Sequence, residues 1–193
     1  MLIARSARVI FCIVLCGLPA LAFAHPGHDE SGLMAGVAHP LTGIDHLLAM
    51  FAVGLWAAQQ KGSARWMLPV DFVGCMLLGG LLGFDGFSVP YLENGIAASV
   101  LALGLLVAVA ASPPMPVSIL ITGLAGLVHG IAHGIELPQM PSPAWYAVGF
   151  VAATSALHAT GYGLARWMPV GGAMLIRTVG LVSAGAGVLL LAC

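Results

Sequence analysis

The stretch His39-Pro40-Leu41-Thr42-Gly43-Ile44-Asp45-His46-Leu47-Leu48-Ala49-Met50 decides how this chain is read. It sets two imidazoles and a carboxylate inside an otherwise apolar run. Such groups are costly to hold in hydrocarbon, so in a membrane helix they mark a functional site. Imidazole with carboxylate is also a ligand set suited to divalent transition metals such as nickel, cobalt or zinc.

The rest of the chain supplies the membrane context. Of 193 residues, 60% are hydrophobic and 7% charged, against about 25% charged in a soluble globular domain. A chain this apolar cannot cover its surface in water, so the lipid bilayer is its first expected partner. The formal net charge of −1 offers no basic patch and argues against nucleic acid. Cys12, Cys16, Cys75 and Cys193 contain no CxxC and build no disulfide framework.

Residues 1–24 read as a secretory signal peptide. Arg5 and Arg8 form the basic start, Val9 to Leu18 the apolar run, and Ala22-Phe23-Ala24 a small-x-small cleavage site. The alternative is an extra retained transmembrane helix. With cleavage, residues 25–193 form one membrane domain that begins at His25, outside the cytoplasm.

Six apolar segments follow, at about 33–58, 66–84, 94–111, 117–135, 144–165 and 172–192, each close to the ~20 residues that span a bilayer. The fold class is therefore all-α, an integral membrane bundle of six helices. After Ala24 the positive residues are Lys61, Arg65, Arg166 and Arg177. They flank the first–second and fifth–sixth connections, and cytoplasmic loops carry the excess of Lys and Arg, so both termini are expected outside. Gly126, Gly130 and Gly134 repeat at four-residue spacing, as do Gly79 and Gly83; such spacing lets helices approach closely. A faint echo links Gly36-Val37-Ala38-His39 and Gly43-Ile44-Asp45 with Gly126-Leu127-Val128-His129 and Gly134-Ile135-Glu136. It is either an inverted 3+3 repeat of the kind many transporters use or chance between glycine-rich helices.

On a regular helix His39 and His46, seven apart, share a face, and Asp45 sits about a quarter-turn away, where it orients a histidine or meets another partner. Pro40 and Gly43 are places for a bend. His129, His133 and Glu136, at i, i+4 and i+7, form one stripe on the fourth span. The pattern is not HExxH, so a zinc-protease general base is missing. Glu93 opens the third span. By the charge rule these groups all lie toward the outer side. His158 lies deeper on the fifth span, either a relay ligand or a helix–helix hydrogen bonder. The mature start, His25-Pro26-Gly27-His28-Asp29-Glu30, is either a metal-capture arm or a plain polar tail. Asp71 reads as a capping or loop-facing carboxylate, and Met34, Met50 and Met76 as packing. Trp56, Trp66, Tyr91, Trp145 and Trp167 read as interface anchors.

The twelve-residue run from His39 to Met50 resembles the signature of the HupE/UreJ family, small nickel or cobalt permeases associated with hydrogenases and ureases. His129-Gly-Ile-Ala-His133-Gly-Ile-Glu136 is similar to its second motif, and Glu93-Asn-Gly-Ile-Ala-Ala-Ser99 to its third-helix segment. The resemblance implies functional roles for His39, Asp45, His46, Glu93, His133 and Glu136; His129 and His158 rest on the residue pattern. It implies an inner-membrane permease, not an enzyme, that carries Ni2+ or Co2+ as cargo with no permanently bound cofactor. Hydrogenase or urease maturation proteins would be its partners. Two other classes remain open at this point: a b-type haem electron-transfer protein with paired axial histidines, and a membrane metal sensor or maturation partner that binds without transporting.

Overall fold

The structure, a computed structural model, describes residues 32–137 and 142–192. The leader and the arm carrying His25 and His28 lie outside the described residues. Within them the regular structure is helical: α1 Leu33–Thr42, α2 Ile44–Gln59, α3 Ala64–Phe84, α4 Leu92–Val109, α5 Met115–Glu136, α6 Pro143–Trp167 and α7 Ala173–Ala192, with a 3-10 turn at Val170–Gly172. These boundaries follow the apolar runs closely. Proline falls in the first turn of α5 and α6, where its missing N–H costs nothing. Gly86, at φ 88°, reverses the chain after α3.

The count of spans differs from the expectation. Four helices, α3, α4, α5 and α7, are long and apolar enough to cross a bilayer, and a fifth span results if α1 and α2 count as one. At 25 residues α6 is long enough, but its Thr154, Ser155, His158, Thr160 and Tyr162 dilute its apolarity, and it does not join the four. Several apolar helices of this kind suggest a multi-pass membrane protein. Their outward faces carry exposed leucines, among them Leu78, Leu81, Leu120, Leu181 and Leu189.

The first apolar run is also not one continuous helix. α1 and α2 meet at 85° around Gly43, whose backbone is extended at φ −79°, ψ 113°. The local chemistry accounts for the break. Pro40 removes one ladder hydrogen bond from the last turn of α1, and the Thr42 hydroxyl and Gly43 N–H both turn back to the His39 carbonyl. Asp45 then falls in the first turn of α2, where a carboxylate complements the helix dipole and can accept from an otherwise unpaired N–H.

α2 is the central helix. Every residue from Ala52 to Ala57 is buried, the pattern of a helix enclosed on all sides. α3 packs along α5, α6 along α1 and α2, and α7 along α4. The glycine spacing explains how closely. A Cβ on Gly126, Gly130 or Gly134 would run into the carbonyl oxygen of Phe72, Met76 or Gly80, and Gly79 and Gly83 meet Leu127 and Ile131 in return. The expected close helix approach is what these glycines provide.

Two side-chain expectations need correcting. Trp56 is fully buried; its indole N–H donates to the Ala111 carbonyl at 2.9 Å, which α4's left-handed end at Ala110 leaves free. Trp66, Tyr91, Trp145 and Trp167 are exposed, as interface anchors would be. Asp71 is neither a cap nor loop-facing: it accepts a 2.6 Å hydrogen bond from the Thr122 hydroxyl across the α3–α5 seam.

Candidate metal centre

The break at Gly43 does more than turn the chain. On a straight helix, seven residues separate two side chains by about 10 Å along the axis. Here the His39 and His46 ring centroids stand 5.9 Å apart. His133 of α5 completes a triangle with them, at 4.6 Å from His39 and 4.4 Å from His46. His129, one turn earlier on α5, lies 4.8 Å from His46. Four imidazoles from α1, α2 and α5 thus form a continuous edge-to-face cluster. His46, His129 and His133 are buried, and His39 is half-buried.

The carboxylates take different places around it. Asp45 Oδ1 accepts from His46 Nδ1 at 2.6 Å and from the His46 backbone N–H at 2.8 Å. With the carboxylate ionised, that short bond needs the proton on Nδ1, which leaves a lone pair on His46 Nε2. A carboxylate that holds a histidine by its far nitrogen is the usual support for a metal-binding imidazole. Glu136 Oε2 lies 3.8 Å from His133 Nδ1, and its side chain is 55% exposed, so it faces the mouth of the cluster. One donor atom each from His39, His133 and Glu136 lie within 4.8 Å of one another. Ligands at about 2.1 Å from one ion stand roughly 3–4 Å apart, so small side-chain rotations would close this triangle.

His129 is fixed from the other side by Ser99 of α4. The Ser99 hydroxyl stands 2.7 Å from the Ile96 carbonyl and 2.9 Å from His129 Nε2. With its proton on the carbonyl it accepts from Nε2–H, which leaves the His129 lone pair on Nδ1. Ser99 is a supporting residue that the family resemblance, which points to Glu93 in the same segment, does not single out. The available signal was a hydroxyl in an otherwise apolar helix interior. The aromatic wall was also missed: Phe150 of α6 lies 4.4 Å from His133, and Tyr146, one turn earlier, 5.8 Å from His39.

The fit to a cation shows in what these imidazoles lack. His46 Nε2, His129 Nδ1 and both nitrogens of His133 are buried with no hydrogen-bond partner among the described residues. A buried polar atom left unpaired costs about 1–3 kcal/mol. A cation accepting nitrogen lone pairs would offset several such costs at one place.

Two of the expected positions stand apart. Glu93 sits exposed in the first turn of α4 and makes no ion pair among the described residues. His158 of α6 is buried with Nε2 unpartnered but does not touch the cluster. The Phe72 ring lies between, 5.8 Å from His129 and 5.2 Å from His158.

Fold and site define a multi-pass helical membrane protein with a buried imidazole cluster backed by carboxylates. The family described as HupE / UreJ protein matches residues 13–190, and the chain belongs to it. It is 42% identical over 188 residues to Protein HupE of Rhizobium leguminosarum bv. viciae, covering 97% of this chain and 98% of that one. No solved structure matches.

Proposed function

We propose that this chain is a permease that carries Ni2+, with Co2+ as the next candidate, from periplasm to cytoplasm across the bacterial inner membrane. The single observation that carries the reading is the meeting of four imidazoles at one buried place with nitrogen lone pairs unpaired. In this account a dehydrating ion exchanges water for His39, His46, His129 and His133. Asp45 and Glu136 offset charge that the hydrocarbon would otherwise penalise, and His158 receives the ion further along. Glu93 and the arm with His25 and His28 serve capture at the outer face. The cargo would supply a nickel enzyme such as hydrogenase or urease through its maturation proteins, as the family resemblance implies.

The topology belongs to this reading. Six spans result when α1 with α2 counts as one and α6 as another, with both termini periplasmic after removal of residues 1–24. The pairings of α3 with α5 and of α2 with α6 exchange when the two halves are swapped, which supports an inverted repeat. The contact of α2 with α4 has no counterpart of similar extent between α5 and α7. The geometry disfavours the haem alternative. Axial histidines must stand on opposite sides of a flat macrocycle, whereas these rings pack directly on one another at 4.4–4.8 Å.

Liposomes containing the purified protein and an internal Ni2+-sensitive dye test the proposal. Time-dependent entry of Ni2+ that His46→Ala abolishes is the expected result. Ni2+ bound without entry would move the chain to the sensor or maturation class. Neither binding nor entry by folded protein would overturn the nickel assignment.

A further inference from the structure

One helical turn beyond the imidazole cluster, three side chains converge that the sequence reading treated separately or not at all. Met50 follows His46 by four residues on α2, Thr154 follows Phe150 by four on α6, and Met76 follows Phe72 by four on α3. The Thr154 hydroxyl lies 3.3 Å from Met50 Sδ and 3.9 Å from Met76 Sδ. All three are buried, at 0%, 0% and 3% exposure for Met50, Thr154 and Met76. Read from the sequence, these methionines are scattered packing residues; in the fold they share one hydroxyl.

That hydroxyl behaves unlike its neighbours. Thr160 and Thr178 each give their proton to the carbonyl four residues back in their own helix, the ordinary way for a threonine to be satisfied in an apolar helix, and Thr122 gives its proton to the Asp71 carboxylate. Thr154 makes no such bond among the described residues. Its proton reaches only sulfur, a weak acceptor, and one proton serves only one of the two sulfurs at a time. An oxygen and two thioethers therefore face one another in the core with donor capacity to spare. Open grooves lie on either side of the spot. Met76 lines one of about 500 Å3 together with His133 and Phe150. One turn beyond Thr154, His158 lines another of about 720 Å3 with Arg65, Trp66 and Tyr162.

We infer that Met50, Met76 and Thr154 form a second cation station, neutral and sulfur-rich, between the imidazole cluster and His158. Two thioethers and a hydroxyl select soft and borderline transition-metal cations, among them Ag+, Cu+, Cd2+ and Ni2+. They offer little to Mg2+ or Ca2+, which need several hard oxygen ligands. A neutral donor set would hold an ion weakly enough to release it onward, while the aliphatic surroundings exclude hard ions from the path. The transit role rests on the permease reading; the binding site does not.

The test uses full-length protein labelled with selenomethionine in lipid nanodiscs, with Ag+ as the probe and X-ray absorption at the selenium edge as the readout. The wild type is expected to show a Se–Ag scattering shell that falls in Met50→Leu/Met76→Leu, a pair of changes that keeps apolar volume. Equal shells in the two proteins would overturn the site. In liposomes, that double variant and, separately, Thr154→Val should bind Ni2+ at the imidazole cluster unchanged while entry falls about tenfold or more. Entry at the wild-type rate in both would overturn the transit role. Should the double variant not fold, the single changes Met50→Leu and Met76→Leu decide by the same two readouts, since each removes one of the two sulfurs that face the Thr154 hydroxyl. A wild type that moves no Ni2+ overturns the permease reading and the transit role with it, and the Se–Ag comparison still decides the site.

Discussion

Replacing Asp45 separates the orienting role of its carboxylate from direct ligation. Its Oδ1 accepts two N–H groups of His46, at 2.6 Å from Nδ1 and 2.8 Å from the backbone, and both bonds gain from the carboxylate's charge. Losing the outer partner of a metal-binding histidine costs about 10–100-fold in affinity, or about 1.4–2.8 kcal/mol. Asn keeps an oxygen that can accept the same two donors without the charge, so Asp45→Asn belongs at the low end of that range. Ala removes the acceptor, frees the His46 ring to rotate and exposes the start of α2, so Asp45→Ala belongs at the high end. Calorimetric titration of Ni2+ into each protein in nanodiscs measures both. Wild-type affinity in Asp45→Ala would refute the orienting role. A loss in Asp45→Asn as large as in His46→Ala would make Asp45 a ligand in its own right.

Ser99→Ala should leave His129 Nε2 without its acceptor and weaken Ni2+ binding by about tenfold, measured by the same titration; an unchanged affinity would detach His129 from the site. Gly130→Ala places a methyl against the Met76 carbonyl and should destabilise by about 1–3 kcal/mol. Gly74→Ala, with open space around it, should stay within about 0.5 kcal/mol of the wild type; thermal unfolding in detergent reads the contrast. Trp56→Phe removes the 2.9 Å bond to the Ala111 carbonyl and should cost about 1 kcal/mol without altering Ni2+ affinity, since Trp56 lies at the far end of α2 from His46.

Much of the fold was legible because long apolar runs with glycine, proline and charge between them leave few alternatives. The site residues were legible for the same reason: an imidazole in an apolar run stands out. Their arrangement was not. Helical periodicity assumes an unbroken helix, and Gly43 breaks it, so His39 and His46 approach through a turn of the chain rather than along a face. Asp45 was placed by its angle from the histidines, yet what fixes it is its position in the first turn of a new helix. Contacts between spans were out of reach altogether. That Ser99 meets His129, that Trp56 turns inward to α4, and that Asp71 faces Thr122 depend on which helices pack together. Glycine spacing signals that packing is close without naming the partner. Met50, Met76 and Thr154 belong to the same class, distant in sequence and adjacent only after packing.

The central claim is that the imidazoles of His39, His46, His129 and His133 hold the ion. Anomalous diffraction at the nickel edge from crystals of the Ni2+-loaded protein tests it most directly. One anomalous peak among those rings, within ligand distance of His46 Nε2 and at least one nitrogen of His133, is the result this account predicts. A peak elsewhere in the bundle, or loaded protein with no peak among the four rings, would contradict it.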